Sequence, residues 1–238
     1  MGRWLRGAGM VLSALLLGIT GATAGSWLGD SNPSPLPANA EALRLAQEIL
    51  PGVSPTGGID RRDYIYGSPL GDEESGPGFV AIAYEADEGH AGPSLDECRL
   101  DEQARIGAAT AGWEGFHEIS GYPSCSNWRA ERGKVVLAYT HDTIGSVITF
   151  YRPTTGASVG MLVGLTIGLL AGVAGYTLVG RRRPTLTLVL LAIPNLALVP
   201  VAALFVAGLI VGLHDGPTPA FWTLWVSLAR LFLLPTDY

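Results

Sequence analysis

Residues 156–172 read Gly-Ala-Ser-Val-Gly-Met-Leu-Val-Gly-Leu-Thr-Ile-Gly-Leu-Leu-Ala-Gly, with glycine at 156, 160, 164, 168 and 172 and no ionisable side chain. Residues four apart lie on one side of an α-helix, so Gly156, Gly160, Gly164, Gly168 and Gly172 form a single bare stripe, a glycine zipper. Inside lipid there is no hydrophobic drive between helices, and such a stripe lets a second backbone approach until packing and weak contacts hold the pair. From first glycine to last the stripe spans about 24 Å of helix, most of a hydrocarbon core of roughly 30 Å. The expected partner is the first apolar run, which offers Ala14, Gly18, Ala22 and Ser26 at the same spacing, or else a second copy of the chain or another membrane protein.

Working outward, Gly7–Trp27, Ser158–Gly180 and Leu186–Leu213 all lack Asp, Glu, Lys, Arg and His, and each is long enough to cross a bilayer as a helix. The mean hydropathy of +0.31 comes from these blocks. Pro194, Asn195 and Pro200 lie within the third; proline removes a backbone donor, so a bend is expected near mid-membrane, with Asn195 bonding to a neighbouring helix. A fourth apolar stretch, Ala220–Leu234, is short and contains Arg230. Thr223, Ser227 and Arg230 give it one narrow polar stripe. It reads as a short fourth span with Arg230 reaching for the cytoplasmic face, or as a helix lying in the outer interface.

Positive residues flanking spans stay in the cytoplasm, and here they sit at Arg3 and Arg6 and at Arg181, Arg182 and Arg183. Both clusters place residues 29–155 outside. Met1–Ile19 followed by Ala22-Thr23-Ala24 also has the layout of a cleavable signal peptide, and cleavage leaves that placement unchanged. The block 29–155 holds 19 Asp plus Glu against 9 Lys plus Arg, a formal −10, while the rest of the chain carries 6 basic and 2 acidic residues, +4. An acidic block without a basic stretch argues against nucleic acid, whose phosphates need clustered cations. Arg supplies 14 of the 15 basic residues, a bias of high-GC bacterial genomes.

Within the acidic block, residues 29–38 form a Pro-rich spacer and 39–155 a domain. Ala40–Leu50 has helical periodicity with Leu43, Ala46 and Leu50 on its apolar side. Tyr64-Ile65-Tyr66 offers a short strand and Phe79–Glu85 a longer one. Ser94 and Glu97 form a capping box opening a helix to about Gly112, whose apolar face is Leu100, Ala104, Ala108 and Ala111. Lys134–His141 and Ser146–Arg152 are joined by a short turn as an antiparallel hairpin. The expected fold is therefore a membrane α-helical bundle of three to four spans (1–28, 156–180, 186–213 and, within 214–238, a short fourth span or interfacial helix, with a basic turn at 181–185). It carries a small extracytoplasmic α+β domain, order α-β-α-β-β, with its helices on one face of an antiparallel sheet.

Cys98 and Cys125 are the chain's two cysteines, and outside the cytoplasm they are expected to pair as a disulfide. Their spacing is wrong for a zinc or thioredoxin-like site. No cofactor or metal is expected. The carboxylates Asp72, Glu73, Glu74, Glu85, Asp87, Glu88, Asp96, Glu97, Asp101 and Glu102 lack an ordered calcium-loop pattern and read as solvated loops and helix N-terminal charges. His90, His117, His141 and His214 form no recognised spacing; His141 beside Asp142 reads as a surface residue of a hairpin turn, with no nucleophile motif nearby. Trp113, Phe116, Tyr122 and Trp128 are mostly core, and any part left exposed is a candidate recognition surface. Asn195 and Arg230 are too few to build a transport path. These features point to a binding, sensing or interaction module with membrane lipid as its solvent. The alternative is an envelope enzyme with two carboxylates converging in a cleft, and small-solute transport is less favoured.

Overall fold

The computed structural model describes residues 2–63, 78–85, 95–119, 126–141, 145–180, 184–212, 220–225 and 228, and at 2, 3, 85, 95–99, 179, 180, 184, 208, 209, 211 and 212 the backbone alone. Its elements are α1 (Gly2–Gly29), α2 (Asn39–Ile49), β1 (Ile59–Arg62), β2 (Phe79–Glu85), α3 (Leu95–Thr110), β3 (Glu114–Ile119), β4 (Asn127–Arg132), β5 (Val135–His141), β6 (Gly145–Tyr151), α4 (Thr155–Gly175) and α5 (Pro184–Gly212). A π-turn, Tyr176–Gly180, extends α4, and a 3-10 turn covers Phe221–Thr223. The segments Trp4–Gly29, Thr155–Leu178 and Thr185–Ala207 are each long and apolar enough to span a membrane.

The glycine stripe of α4 meets a second glycine stripe, on α1. Moving four residues forward along α1 and four back along α4, the facing positions are Ser13 and Gly172, Leu17 and Gly168, Gly21 and Gly164, Gly25 and Gly160, and Gly29 and Gly156. At the last three pairs the approach is reciprocal: a Cβ built on either glycine would overlap the carbonyl oxygen of the other. The Cα hydrogens therefore point at facing carbonyls, an arrangement in which each contact contributes about 0.5–1 kcal/mol. Both stripes are consumed inside one chain. The partner is the first span, as one reading had it, but through Gly21, Gly25 and Gly29 rather than Ala22 and Ser26.

Those two residues look toward a second neighbour. Ala22 is buried with Ala202 and Phe205 of α5 and with Phe221 and Leu224, while the Ser26 hydroxyl accepts the Trp222 backbone N–H at 3.3 Å. Helix α1 is thus packed on two faces, and a helix with two close neighbours needs small residues on both. α5 continues through Pro194 and Pro200. Asn195 donates from Nδ2 to the Leu12 carbonyl of α1 at 3.0 Å and to Leu191 O at 2.7 Å, the bond to a neighbouring helix expected of it. Asn195→Val should lower the thermal midpoint of the detergent-solubilised chain, for a loss of about 0.6–2 kcal/mol; an unchanged midpoint would show that the bond is not stabilising.

The α+β unit is a six-stranded antiparallel sheet in the order β1-β2-β6-β5-β4-β3. Strand residues alternate between faces, and one face presents Val80, Ile82, Ile148, Phe150, Leu137, Tyr139, Trp128 and Ala130 to α2 and α3, forming a single core. From α2 come Ala42, Leu45, Ala46 and Ile49, and from α3 Ala104 and Ala108. Gly107 lies against the Ile49 backbone, where a side chain would collide, so α3 crosses the end of α2 closely. β6 lies inside the sheet and is joined to α4 by three residues after Tyr151, which ties this end of the sheet to the bundle.

The expected order α-β-α-β-β is corrected to α-β-β-α-β-β-β-β. The strands not anticipated are β1, β3 and β4, with sequences Ile-Asp-Arg-Arg, Glu-Gly-Phe-His-Glu-Ile and Asn-Trp-Arg-Ala-Glu-Arg. Each carries two or more charged residues: β1 and β3 are edges, which charge protects against further pairing, and β4 leaves Glu131 exposed and Arg129 and Arg132 half-buried. On α2 the buried side is Ala42, Leu45, Ala46 and Ile49, whereas Leu43 is exposed. The end of the spacer belongs to the domain: Leu36 is in the core and Arg61 donates to Pro37 O at 2.7 Å. Outside the described residues lie Tyr64-Ile65-Tyr66, Asp72-Glu73-Glu74, the Ser94 cap, the side chains of Arg3, Asp96, Glu97 and Cys98, Tyr122, Cys125, Arg181, Arg182, Arg183 and Arg230. The paired-cysteine and fourth-span readings therefore fall outside them too.

Candidate functional site

A cluster of buried polar groups lies at the end of the sheet away from α4. β5 finishes at His141 and β6 begins at Gly145, so the register places His141 opposite Ser146, and Ser146 opposite Tyr84 on β2. Tyr139, two residues before His141, shares its face. The early turns of α3 cover this corner and bring in Asp101. All are sealed: Asp101 is 3% exposed, His141 6%, Ser146 2% and Tyr139 fully buried.

The Tyr139 hydroxyl donates to Ser146 Oγ at 2.8 Å, Ser146 Oγ lies 2.9 Å from His141 Nδ1, and an Asp101 carboxylate oxygen is 3.7 Å from the same Nδ1. Asn127 at the start of β4 accepts the His141 backbone N–H at 2.7 Å. Burial pushes the Tyr84 hydroxyl up to about 12. Burial, with the Asp101 carboxylate beside it, holds Tyr139 well above the ordinary tyrosine range. Both shifts raise the folded-state value above that of the unfolded chain. Their stabilisation is therefore complete below about pH 10, the ordinary tyrosine value, and is lost as pH rises toward and through the folded-state values. Alkaline unfolding followed by tyrosinate absorbance should begin above pH 10 and flatten in Tyr84→Phe with Tyr139→Phe; an unaltered profile would place the alkaline transition elsewhere.

Serine, histidine and aspartate in contact invite comparison with a nucleophilic triad, and the geometry answers it. A triad needs the serine on one ring nitrogen and the carboxylate on the other, so that the ring passes a proton between them. Here Ser146 and Asp101 face the same nitrogen, and Ser146 is closed to any substrate. What the arrangement does is staple: α3 is joined to the β5–β6 hairpin, and the hairpin to β4.

His141 is thus not the surface residue of a hairpin turn. It follows Leu137 and Tyr139 at two-residue intervals on the core-facing side, and that alternation was the signal in the sequence that could have found it. Its carboxylate neighbour is Asp101, 40 positions earlier; Asp142 lies outside the described residues. The described members of the aromatic set fall in or against the core, as expected for most of it. Trp113 stacks on Phe150, and Trp128 lies between Phe116 and Tyr139, with Trp113 2% exposed and Trp128 fully buried. Phe116 is half-buried under the Arg105 guanidinium. All three occupy the face covered by helices, so they form core and not a recognition surface.

Of the carboxylates considered as cation ligands, Asp101 is in the staple and Glu102 is exposed on α3; among the described residues no three His, Cys, Asp or Glu side chains converge as a metal site. Glu48 and Glu102 do share an open groove of about 460 Å³ with Ile106, Gly107 and Thr110. Glu48, however, is held by Arg44 at 2.6 Å and Arg132 at 3.1 Å, so its charge is already matched. No protein-family model, curated protein or solved structure matches the chain.

Proposed function

We propose that this chain is a membrane-anchored, non-catalytic binding or sensing module of a bacterial envelope, with its acidic α+β domain on the outer side of the membrane. The closure of the Ser146–His141–Asp101 cluster carries this reading. The groups best suited to chemistry are spent on fixing the ends of β4, β5 and α3, and a rigid domain lowers the entropic cost of recognition. The outward placement is supported by Arg3, Arg6 and Arg181, Arg182 and Arg183 flanking the spans and by the acidity of the block between them. In that compartment Cys98 and Cys125 would pair.

Purification of the tagged full-length chain in mild detergent, after expression in an envelope that contains its partners, should recover a stoichiometric companion or a specific bound ligand. Recovery of the chain alone, turning over an envelope substrate, would overturn the proposal in favour of an enzyme. The carboxylates of that enzyme would be Glu48 and Glu102, the pair that shares a groove. Arg44 and Arg132 count against it, because a general acid works best when its charge is uncompensated.

A further inference from the structure

The Ala22-Thr23-Ala24 stretch has a second meaning once α1 is seen in place. We propose that the Ala24–Gly25 bond is a masked processing site: a signal peptidase cuts it in a chain whose α4 has not docked, and docking protects it. This rests on the outward orientation proposed above, which puts the bond near the outer surface.

The sequence before the bond has what a signal peptidase reads: Arg3 and Arg6, an uncharged apolar stretch, and small residues at 22 and 24. The structure withholds the bond in three ways. α1 continues as helix to Gly29, whereas a protease takes its substrate extended. Ala22 and Thr23 are 2% and 3% exposed, Ala22 packed among Ala202, Phe205 and Leu224. On the far side of the bond, Gly25 lies with its backbone against the Gly160 carbonyl. To extend residues 22–25, the chain must open the helix, part Gly21 from Gly164 and Gly25 from Gly160, and release Ser26 from Trp222.

The same small side chains serve both fates. Ala22 and Ala24 satisfy the peptidase, and Ala22 and Gly25 fill the helix contacts. Cleavage of a transiently opened segment follows the population of the open form, so a chain that assembles quickly keeps α1. Cleavage itself is simple hydrolysis: water gives its hydroxyl to the Ala24 carbonyl carbon and a proton to the Gly25 nitrogen. The cut would remove the Leu12 carbonyl that holds Asn195 and most of the helix that packs on α4, Gly21 included, so it discards the bundle rather than maturing it.

The test is the intact mass and N-terminal sequence of the full chain, tagged at its C-terminus and expressed in cells with signal peptidase. The wild-type chain should retain α1. Gly160→Leu with Gly164→Leu should raise the share of chains beginning at Gly25 by about tenfold or more, and Gly160→Ala by less. Adding Ala24→Leu, a large residue at the small-residue position, should abolish that terminus. A wild-type chain beginning at Gly25 would overturn the proposal, as would a double variant that stays intact or is degraded without a Gly25 terminus. Protease added to spheroplasts of the same cells separates the two readings. An inaccessible α+β domain would sink the orientation, whereas an accessible domain with no Gly25 terminus would sink the masked site alone.

Discussion

Gly164→Leu combined with Gly168→Leu is expected to prevent α1 and α4 from pairing, leaving a chain that aggregates in mild detergent or melts far below the wild type. At Gly164 even a Cβ would overlap the Gly21 carbonyl, and at Gly168 the Leu17 carbonyl. These are backbone atoms of a helix and cannot turn aside as a side chain can. Overpacking a well-packed interior costs about 1–3 kcal/mol per site; two sites on rigid backbone reach roughly 2–6 kcal/mol, comparable to the whole stability of many domains. Leucine at Val163 and Ile167, which are exposed on α4, is the control, because an added lipid-facing leucine meets no helix. If the glycine double variant melted with the control, the seam would be incidental.

His141→Ala should have the next largest effect, and on stability. Asp101 would keep its buried position with the imidazole gone, and taking one polar neighbour from a buried group costs about 1–3 kcal/mol. The expected result is a lower thermal midpoint together with faster amide exchange in α3, the helix the pair holds to the hairpin. Asp101→Asn keeps a hydrogen-bonding side chain of similar shape and should cost less. A stable, well-ordered His141→Ala domain that had lost an activity would instead point to catalysis, and the structural account of the cluster would fail.

Both expectations arise from pairs that differ in how far the sequence reveals them. Gly156 to Gly172 repeat within one helix, and a local period can be read directly. The same is true of Phe79–Glu85 and of the β5–β6 hairpin, where β-branched and aromatic residues run together, and of Ala104 and Ala108 on α3. Asp101 lies in α3 and His141 at the end of β5 with β3 and β4 between them, and neither residue's neighbours announce the other. β1, β3 and β4 were hidden for a related reason: their exposed sides carry charge, and what makes them strands is the ladder supplied by β2 and β5. The partner stripe was legible only in part: Ala14 and Gly18 do lie against Gly172 and Gly168, but Ala22 and Ser26 face another neighbour, because rotation about a helix axis leaves no mark in composition.

By itself, then, the order of residues determined three apolar helices, an acidic block between the first and second, and a glycine face on α4, because length, charge and helical period are properties of contiguous chain. Only the tertiary structure decided which face of α1 meets that stripe, that β1, β3 and β4 join the sheet, and that His141 is sealed against Asp101 and Ser146. Those are outcomes of competition for limited interior space, settled when distant segments exclude water from one another, and no single segment contains the information.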